Sequence, residues 1–415
     1  MAKSGIITGL DIGTSKVVAI ISEVNENDHI EVLGFGHALS RGLRKGSIIN
    51  LETTTDSIKK AISNAEVMAG TKVKSVFVGI AGENIRGVNS KSTVIISSRR
   101  NRPKSRQISS DDVERAIEQA KAIETPHDRQ VLTAITQDFS VDDQDGISEP
   151  VGIFGTRLDA LVHVVTGSTS SRQNLVKAVK NADIDVEDVM LQPLASSEAV
   201  LYPEEKEMGV ILIDIGAGTT DVIIYVEGSV WYTAIIPIGG DLITKDIAIG
   251  LNTPTEKAED IKKESGCALI DMVNDSEMIN VPGVGGRSPK NVPRRILAEI
   301  IEPRVRELLE FVNKEIKSSG YKGITPAGVV ITGGSSMLDS IDGLAERVFK
   351  MQSRIGYPRE LSGLFDRVKD PSFATCIGLV LKGAEQRGPA KGNDFSMKPN
   401  QFIKLVKKMK NWLSG

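Results

Sequence analysis

Two short turns, each built from an aspartate, glycines and small hydroxyl residues, have the chemistry to bind a phosphate group. The first lies within IITGLDIGTSKVVAIIS (6–22) and the second within VILIDIGAGTTDVIIYV (210–226). In each run an apolar strand leads to Asp-Ile-Gly, then to small polar residues and a second β-branched strand, which is the pattern of a β-hairpin. The tip of such a hairpin presents several backbone N–H groups, so the sequence predicts two phosphate-binding turns.

The residues at the two tips divide into phosphate ligands and metal ligands. Phosphate needs N–H groups with no Cβ in the way, which glycine supplies, and the neighbouring hydroxyls add donors. The predicted phosphate ligands are Gly13, Thr14, Ser15, Gly216, Gly218, Thr219 and Thr220. Asp11 and Asp214, at the ends of the leading strands, are placed to hold Mg²⁺ through water, because that ion keeps much of its hydration shell. One Asp-x-Gly sequence is usually only a turn, but two copies in matching strands favour a binding site.

A third glycine turn is suited to a flat ring rather than to a phosphate. In GVVITGGSSM (328–337) a short buried strand runs into Gly333-Gly334, where a ring could lie against bare backbone. Loops with two glycines are common, so this signal is weak by itself. The chain has no G-x-x-x-x-G-K-[ST] run and no G-x-G-x-x-G after a strand, which argues against a P-loop and against a Rossmann dinucleotide site.

The two hairpins must be positioned by two similar domains. They lie about 200 residues apart, and each continues into a further strand, at 29–36 in the first copy and at 230–236 in the second. The repetition predicts an α/β protein with two related domains around a shared cleft. A length of 415 residues suits two to four domains or subdomains.

The composition is that of an ordinary soluble globular protein, with 40% of the residues apolar and 25% charged. A net charge of −3 gives no global attraction to nucleic acid, which is not expected as a partner. Cys267 and Cys376 have no C-x-x-C partner, which argues against a zinc site and fits a reducing cytosol. We expect no signal peptide, and no membrane span because no stretch of about 18 apolar residues occurs.

The C-terminal residues have the pattern of a helix that lies on a membrane surface. The segment 382–400 is rich in Gly, Pro, Lys and Asn without periodicity, which is typical of a flexible linker. In QFIKLVKKMKNWL (401–413) one arc of a helix would be apolar and the opposite arc rich in lysine. The apolar arc comprises Phe402, Leu405, Val406, Met409, Trp412 and Leu413. This pattern favours an interfacial helix. The alternatives are a helix that packs back on the body and a partner-binding segment.

Together these segments resemble the superfamily of actin, sugar kinases and heat-shock chaperones. Residues 10–17 and 213–222 are similar to its two phosphate loops, and 331–338 to its adenosine motif. LQPLASSEAV (191–200) and FATCIGL (373–379) resemble its two connecting helices. The order and spacing of these five segments agree with the superfamily.

Within the superfamily the sequence most resembles the FtsA family of bacterial cell-division proteins, through VFVGIAGENIRGVNS, MLQPLASSEAVL, LIDIGAGTTDV and VITGGSSML. The resemblance covers nearly the whole chain. It implies an actin-like ATPase fold with two duplicated domains around a nucleotide cleft and an FtsA-type subdomain 1C in place of actin's 1B. The implied division is 1–82 and 165–205 for subdomain 1A, 83–164 for 1C, 206–245 and 322–360 for 2A, 246–321 for 2B, 361–381 for a helix returning to 1A, 382–400 for the linker and 401–415 for the membrane-targeting helix.

The resemblance also implies that ATP and Mg²⁺ bind between the two halves. The further nucleotide contacts that it suggests are Lys16, Ala217, Gly239, Gly240, Lys262, Gly333, Gly334, Ser335 and Met337. In this superfamily the first connecting helix offers a Gln or Glu toward the attacking water, and that position is Gln192 here. Glutamine orients water but cannot take its proton, so hydrolysis should be slow. The alternative is that Gln192 merely begins the helix before Pro193.

By the same resemblance, the chain would polymerise and anchor the FtsZ ring to the cytoplasmic face of the inner membrane at midcell, as a peripheral protein. The FtsZ C-terminal peptide would dock on subdomain 2B, where Arg294 and Arg295 could meet its acidic residues, although a charged helix face is more often merely solvated. The other implied partners are anionic membrane lipid, copies of the same chain and late division proteins. The alternatives are a pilus-assembly protein of PilM type, which normally lacks such a tail, and a small-molecule kinase.

Overall fold

The computed structural model describes residues 5–25, 29–96 and 105–387. The predicted amphipathic helix at 401–415, with its six apolar residues, lies outside the described residues, as does the 388–400 part of the predicted linker. None of the helices in the described ranges is long and apolar enough to cross a membrane.

The first domain is built on a mixed sheet that contains the first predicted hairpin. Its elements are β1 (Gly5–Ile12), β2 (Lys16–Val24), β3 (Ile30–Leu39), β4 (Leu43–Arg44), β5 (Ser47–Ile48), α1 (Leu51–Ala69) and β6 (Ser75–Ile80). β1 and β2 pair antiparallel up to Ile12 and Val17, which confirms the hairpin. α1 begins where the Asn50 side chain accepts from the Thr53 N–H and ends at Gly70 in the left-handed conformation, as helices commonly do.

A smaller antiparallel sheet is inserted after β6. The insert consists of β7 (Arg86–Ile95), β8 (Arg106–Gln107), α2 (Ser110–Lys121), β9 (Arg129–Val141), β10 (Gln144–Ile147), β11 (Phe154–Gly155) and β12 (Arg157–Ser168). Its main sheet has the order β10-β9-β12-β7. The apolar side of α2 packs on this sheet through Val113, Ile117 and their neighbours, so the insert has an apolar core of its own.

The chain then returns to the first domain and leaves it through a helix. The elements are α3 (Thr169–Lys180), β13 (Asp185–Leu191), α4 (Gln192–Val200) and α5 (Pro203–Met208). β13 pairs parallel with β6 at the edge of the first sheet, and α4 starts at once where β13 ends. The pair Gln192-Pro193 favours this start, because proline is tolerated in the first helical turn.

The second domain repeats the hairpin on a five-stranded sheet. Its elements are β14 (Val210–Ile215), β15 (Thr220–Val226), β16 (Ser229–Ile236), α6 (Gly240–Gly250), α7 (Thr255–Ser265), β17 (Met278–Val281), β18 (Lys290–Pro293), α8 (Arg294–Ser319), β19 (Val329–Thr332), α9 (Ile341–Phe349) and β20 (Ser353–Ile355). The order is β16-β15-β14-β19-β20, and the antiparallel pairing of β14 with β15 confirms the second hairpin.

The last described elements are β21 (Ser362–Gly363), which joins β3, and α10 (Ala374–Arg387). The predicted return helix at 361–381 therefore starts too early, and the predicted linker start at 382 is wrong. The helix continues because Gly383 lets it lie against the Phe77 ring; a Cβ on this residue would stand 2.6 Å from the ring. The ion pair between Arg387 and Glu187 also holds the end of the helix.

The two connecting helices, α4 and α10, cross in the middle of the molecule. A Cβ on Gly378 would stand 1.7 Å from the carbonyl oxygen of Ala195, so only glycine permits this approach. Leu379 and Val200 are fully buried beside the crossing, in a core that contains residues of both domains. The domains are thus joined by a tight helix pair directly below the cleft.

Candidate nucleotide-binding cleft

The tips of the two hairpins meet across the cleft. A Cβ on Gly218 of the second tip would lie 2.7 Å from the Thr14 hydroxyl of the first. Between them and the Gly333-Gly334 turn lies a cavity of about 430 Å³, a size suited to a small organic ligand. The predicted residues that line it are Asp11, Gly13, Thr14, Ser15, Lys16, Gln192, Asp214, Gly216, Ala217, Gly218, Thr219, Lys262, Gly333, Gly334, Ser335 and Met337.

The glycines of the lining keep the cavity wall at the three turns free of side chains. Gly333 has a φ of 87°, and a Cβ there would stand 2.2 Å from Asp214 Oδ1. At Gly13 the N–H donates to the Lys16 carbonyl and at Gly216 to the Thr219 carbonyl, which closes each tip into a tight turn. These turns form the bare backbone cradle that a phosphate chain requires, so the residues fit a bound nucleotide.

Two of the carboxylates are held by the first connecting helix. Gln192 Nε2 donates to Asp11 Oδ1 at 2.9 Å, and the Ser196 hydroxyl donates to Asp214 Oδ2 at 2.6 Å. Burial, together with the nearby charge of Asp214, raises the pKa of Asp11 to about 7, and burial raises the pKa of Asp214. A cation between them would offset this cost, which fits the predicted Mg²⁺. In the described ranges no group of three or more His, Cys, Asp or Glu side chains is arranged to hold a metal ion.

A third carboxylate, Asp221, was missed by the sequence interpretation. It lies on β15 as the register partner of Asp214, lines the cavity and is only 4% exposed. Its Oδ1 has no hydrogen-bond partner among the described residues. Burial, and then the charges of Asp214 and Asp11, raise the pKa of Asp221. Asp221 thus presents a buried, unpaired oxygen at the cavity wall.

Three lysines border the cavity, Lys16 from the first domain and Lys262 and Lys263 from the second. The Lys16 ammonium donates to the Ser372 hydroxyl at 2.9 Å and lies 4.2 Å from the centre of the Phe373 ring, and burial lowers the pKa of Lys16. On the other side Lys262 donates to Thr244 at 2.8 Å and pairs with Glu259 at 2.6 Å. Lys16 therefore has one neutral partner that an anion could replace, whereas Lys262 is already paired with a carboxylate.

Three predicted contacts do not line the cavity. The Thr220 side chain is fully buried, and its hydroxyl donates to the Ile238 carbonyl at 2.9 Å, because this first residue of β15 faces away from the tip. Gly239 and Gly240 instead support the second tip from behind. A Cβ on Gly239 would lie 2.6 Å from the Ala217 carbonyl oxygen, and the Gly240 N–H donates to the Gly216 carbonyl.

Comparison with known proteins gives two matching family models. "Cell division protein FtsA" matches residues 211–378 and "SHS2 domain inserted in FTSA" matches residues 82–166. The cell-division protein FtsA of Pseudomonas aeruginosa is 43% identical over 99% of this chain and 97% of its own length, and that of Escherichia coli K12 is 36% identical over 98% and 97%. The chain belongs to the FtsA family. The match at 82–166 falls on the insert predicted as subdomain 1C.

Solved structures of other families share the fold at low sequence identity. A PilM–PilN type IV pilus biogenesis complex aligns with a TM-score of 0.63 at 17% identity, over 91% of this chain and 98% of that chain. MreB 5 of Spiroplasma citri bound to AMPPNP aligns with a TM-score of 0.53 at 14% identity, over 99% of each chain. The actin-like fold is confirmed, and membership of the FtsA family favours a division role over the pilus-assembly and kinase alternatives.

Several cavity residues of this FtsA-family chain gave no separate signal in the sequence. Besides Asp221, they are Ile243, Glu259, Lys263, Leu338, Asp370, Pro371, Ser372 and Thr375. Asp221 could have been found by aligning the two hairpins, since the register partner of Asp11 is Val18, whereas that of Asp214 is an acid. The stretch 370–375 reaches the cavity because it leads into α10, and that placement depends on the tertiary fold.

The two arginines proposed for partner binding are engaged with other residues of the second domain, and Arg294 also reaches Asp339 at 3.4 Å. Arg294 donates to Glu277 at 2.7 Å and to the Ser265 carbonyl at 2.8 Å, and Arg295 pairs with Asp275 at 2.7 Å. Arg294 thereby ties the start of α8 to the loops before it. An incoming acidic peptide would have to replace these internal carboxylates.

Proposed function

We propose that this chain binds ATP with Mg²⁺ in the cleft, assembles with copies of itself and links FtsZ filaments to the cytoplasmic face of the inner membrane at midcell, where it helps to recruit later division proteins. The nucleotide part rests on one observation, the pair of aspartate–glycine hairpins whose tips meet over the cavity. Membership of the FtsA family supports the division role.

The nucleotide would be held by backbone and by charge. Bare N–H groups at the two tips would bind the phosphates, and the Lys16 ammonium would turn from Ser372 toward them. The ring would lie against the Gly333-Gly334 turn. Asp11 and Asp214 would hold Mg²⁺ through its water shell, and the ion would supply neutralising charge to the phosphate oxygens.

Two side chains are available for the water that attacks the terminal phosphate. The Nε2 group of Gln192 is occupied by Asp11, which leaves its carbonyl oxygen to accept a hydrogen bond from water. The Oδ1 of Asp221 is unpaired but buried, so a rotation of this carboxyl group toward the cavity would let it accept a second one. Because the amide of Gln192 can orient the water but takes no proton from it, we propose slow hydrolysis that serves as a switch rather than as turnover.

The FtsZ peptide would bind on subdomain 2B beside the arginines of α8. Ile249, at the end of α6, is 79% exposed, and Ile296 on α8 is 41% exposed. Ile300, one turn after Ile296, packs against Gly250, the chain neighbour of Ile249, so the three isoleucines define an apolar strip where α6 meets α8. Arg304 borders this strip and is bound to Asp246. An apolar strip with flanking charges suits a short peptide that carries apolar anchors and acids.

The membrane part rests on the sequence pattern of residues 401–415. One short helix is a reversible anchor, since each lysine contributes about 1 kcal/mol near an anionic surface. In an assembly, the first bound helix raises the effective concentration of the others, so self-association and membrane binding reinforce each other.

Co-sedimentation with anionic lipid vesicles tests the membrane part. The full-length chain should pellet with the vesicles, and a version ending at Arg387, where α10 ends, should remain in solution. Trp412→Glu should abolish pelleting, whereas Asn411→Glu, with the same charge change beside it on the polar arc, should not. In dividing cells the full-length protein should form a midcell ring that Trp412→Glu disperses. Equal pelleting of the full-length and shortened chains would remove the anchoring role.

A further inference from the structure

The helix-free face of the insert reaches the second domain. The insert is part of the first domain by its chain connections, through β7 after β6 and through β12 before α3. Its strands nevertheless pack against β16, the outer strand of the second sheet. The chain thus bridges the two domains in a place separate from the α4–α10 crossing.

Side chains of the insert satisfy the outward carbonyl groups of β16. Gln137 Nε2 donates to the Val230 carbonyl at 2.8 Å, and Asn89 Nδ2 donates to the Trp231 carbonyl at 3.1 Å. In return, the Ser229 hydroxyl donates to the Gln137 carbonyl at 3.1 Å. An edge strand normally leaves such groups to solvent, so these bonds fix the insert to a particular register on β16.

Asn89 is the centre of this contact. Its Oδ1 accepts from Gln137 Nε2 at 3.2 Å and lies 2.6 Å from His163 Nδ1, while its Nδ2 also donates to the Tyr321 hydroxyl at 3.1 Å. His163 Nε2 in turn lies 3.0 Å from the Thr233 hydroxyl of β16. One asparagine therefore connects two side chains of the insert with two residues of the second domain.

The bonds of Asn89, Gln137 and His163 are polar, and apolar packing lies beside them. Val165 of the insert and Ile235 of β16 belong to one apolar cluster, and Ile135 of the insert packs against the cluster that contains Val230. Within the described residues, the buried atoms Gln137 Oε1 and Trp231 Nε1 have no hydrogen-bond partner. Interfaces between domains of one chain resemble transient protein interfaces, so relative movement of the domains is the usual expectation.

β16 is directly connected to the nucleotide cleft. It pairs with β15 from Thr220↔Ile236 onward, so its far end lies against the strand that carries Asp221. When the second hairpin moves away from the first, β16 moves with it and away from the insert.

We infer that the contact of Asn89, Gln137 and His163 with β16 and Tyr321 is a clasp whose closure is coupled to occupation of the cleft. A ligand that holds the hairpins together and a clasp that holds β16 to the insert favour the same arrangement, and such coupling is reciprocal. Nucleotide therefore closes the clasp, and release of the insert speeds nucleotide dissociation. This inference rests on the proposed nucleotide binding.

The first test removes the centre of the clasp. In Asn89→Ala, amide hydrogen exchange of the β16 segment should rise, and a fluorescent ATP analogue should dissociate about tenfold faster than from the wild type. Asn64→Ala is the matched control, because the Asn64 amide also donates to a backbone carbonyl, that of His37, within the first domain. The control should change neither quantity. Unchanged dissociation in Asn89→Ala would overturn the coupling.

The second test does not depend on comparing two variants, because the same protein is measured with and without a cross-link. Gln137→Cys with Ser229→Cys places two thiols across the clasp, and the native Cys267 and Cys376 are buried. Closing the pair by oxidation, or with a short bismaleimide, should slow dissociation of the analogue relative to the reduced protein. Equal rates, or failure to link the pair, would overturn the clasp. A wild-type chain that binds no nucleotide would instead contradict the proposed function.

Discussion

Acidification should weaken the contact between the insert and the second domain through one histidine. His163 on β12 is 1% exposed. Because Asn89 Oδ1 can only accept, Nδ1 of His163 carries the proton and Nε2 accepts from the Thr233 hydroxyl. A second proton would bring an uncompensated charge into a site without water access. Burial accordingly lowers the pKa of His163 from 6.5 to about 4.

The sign and size of the effect follow from these two pKa values. Above pH 6.5 the imidazole is neutral in both the folded and the unfolded chain, so its titration does not change the free energy of unfolding. As the pH falls from 6.5 to about 4, the unfolded chain binds a proton that the folded chain does not, so the free energy of unfolding decreases. At about 1.4 kcal/mol per pH unit, the full decrease is about 3 kcal/mol. Below the folded pKa both states are protonated and the decrease stops.

Urea unfolding followed by tryptophan fluorescence measures this decrease. The chain has two tryptophans, so in a Trp412→Phe background Trp231 reports on the contact itself. Between about pH 7 and pH 4.5, the parent should lose about 2.5 kcal/mol more stability than the same protein with His163→Gln, which cannot titrate. Subtracting the loss of stability in His163→Gln from that in the parent cancels the contribution of the carboxylates, which titrate in both proteins. Equal pH dependence in both, or an NMR titration of the His163 ring with a midpoint near 6.5, would refute the reasoning.

Three further predictions concern the cleft, the helix crossing and the partner surface. Asp221→Asn should lower ATP turnover at least about tenfold, with the affinity for the ATP analogue retained, as measured by phosphate release and by fluorescence titration; unchanged turnover would remove Asp221 from the reaction. Gly378→Ala should lower the free energy of unfolding by about 3 kcal/mol in urea denaturation, whereas Gly323→Ala, where a Cβ meets nothing within 4 Å, should be neutral. Ile249→Glu should weaken binding of an FtsZ C-terminal peptide at least about tenfold in fluorescence anisotropy, while Leu364→Glu, another exposed apolar site, should not.

The parts of the fold that could be predicted are those specified by local sequence. Both hairpins repeat one pattern of β-branched strands around Asp-Ile-Gly, and the structure contains a hairpin at each of the two predicted positions. Thr220 does not line the cavity, because side chains alternate along a strand and its neighbour Thr219 is the one that faces the cavity. The end of α10 was missed because a glycine such as Gly383 is typical of a linker. In the structure this glycine lies within the helix, and the close contact with the Phe77 ring requires it.

The contacts that hold the domains together could not be predicted from one sequence. Asn89 and Tyr321 are 232 residues apart in the chain, and although Asn89 lies in a segment that carries the family resemblance, nothing in that segment indicates its partners. His163 sits in a run of alternating apolar residues and looks like a core position. Such contacts depend on how the insert docks, which no local periodicity encodes. The unpaired carboxylate of Asp221 is an intermediate case, because comparison of the two hairpins would have revealed it.

The way α4 holds the cleft restricts how the two domains can move. At its first residue Gln192 binds Asp11 of the first domain, and one turn later Ser196 binds Asp214 of the second. Thr375 of α10 lies 2.9 Å from the Ser196 hydroxyl, so both connecting helices meet at the same carboxylate. An opening of the cleft about the α4–α10 crossing must lengthen at least one of these bonds. Since each involves a carboxylate that the proposed function assigns to Mg²⁺, the strength of the bonds that resist opening would depend on whether that site is filled, and the proposed metal site and the hinge would then be energetically coupled.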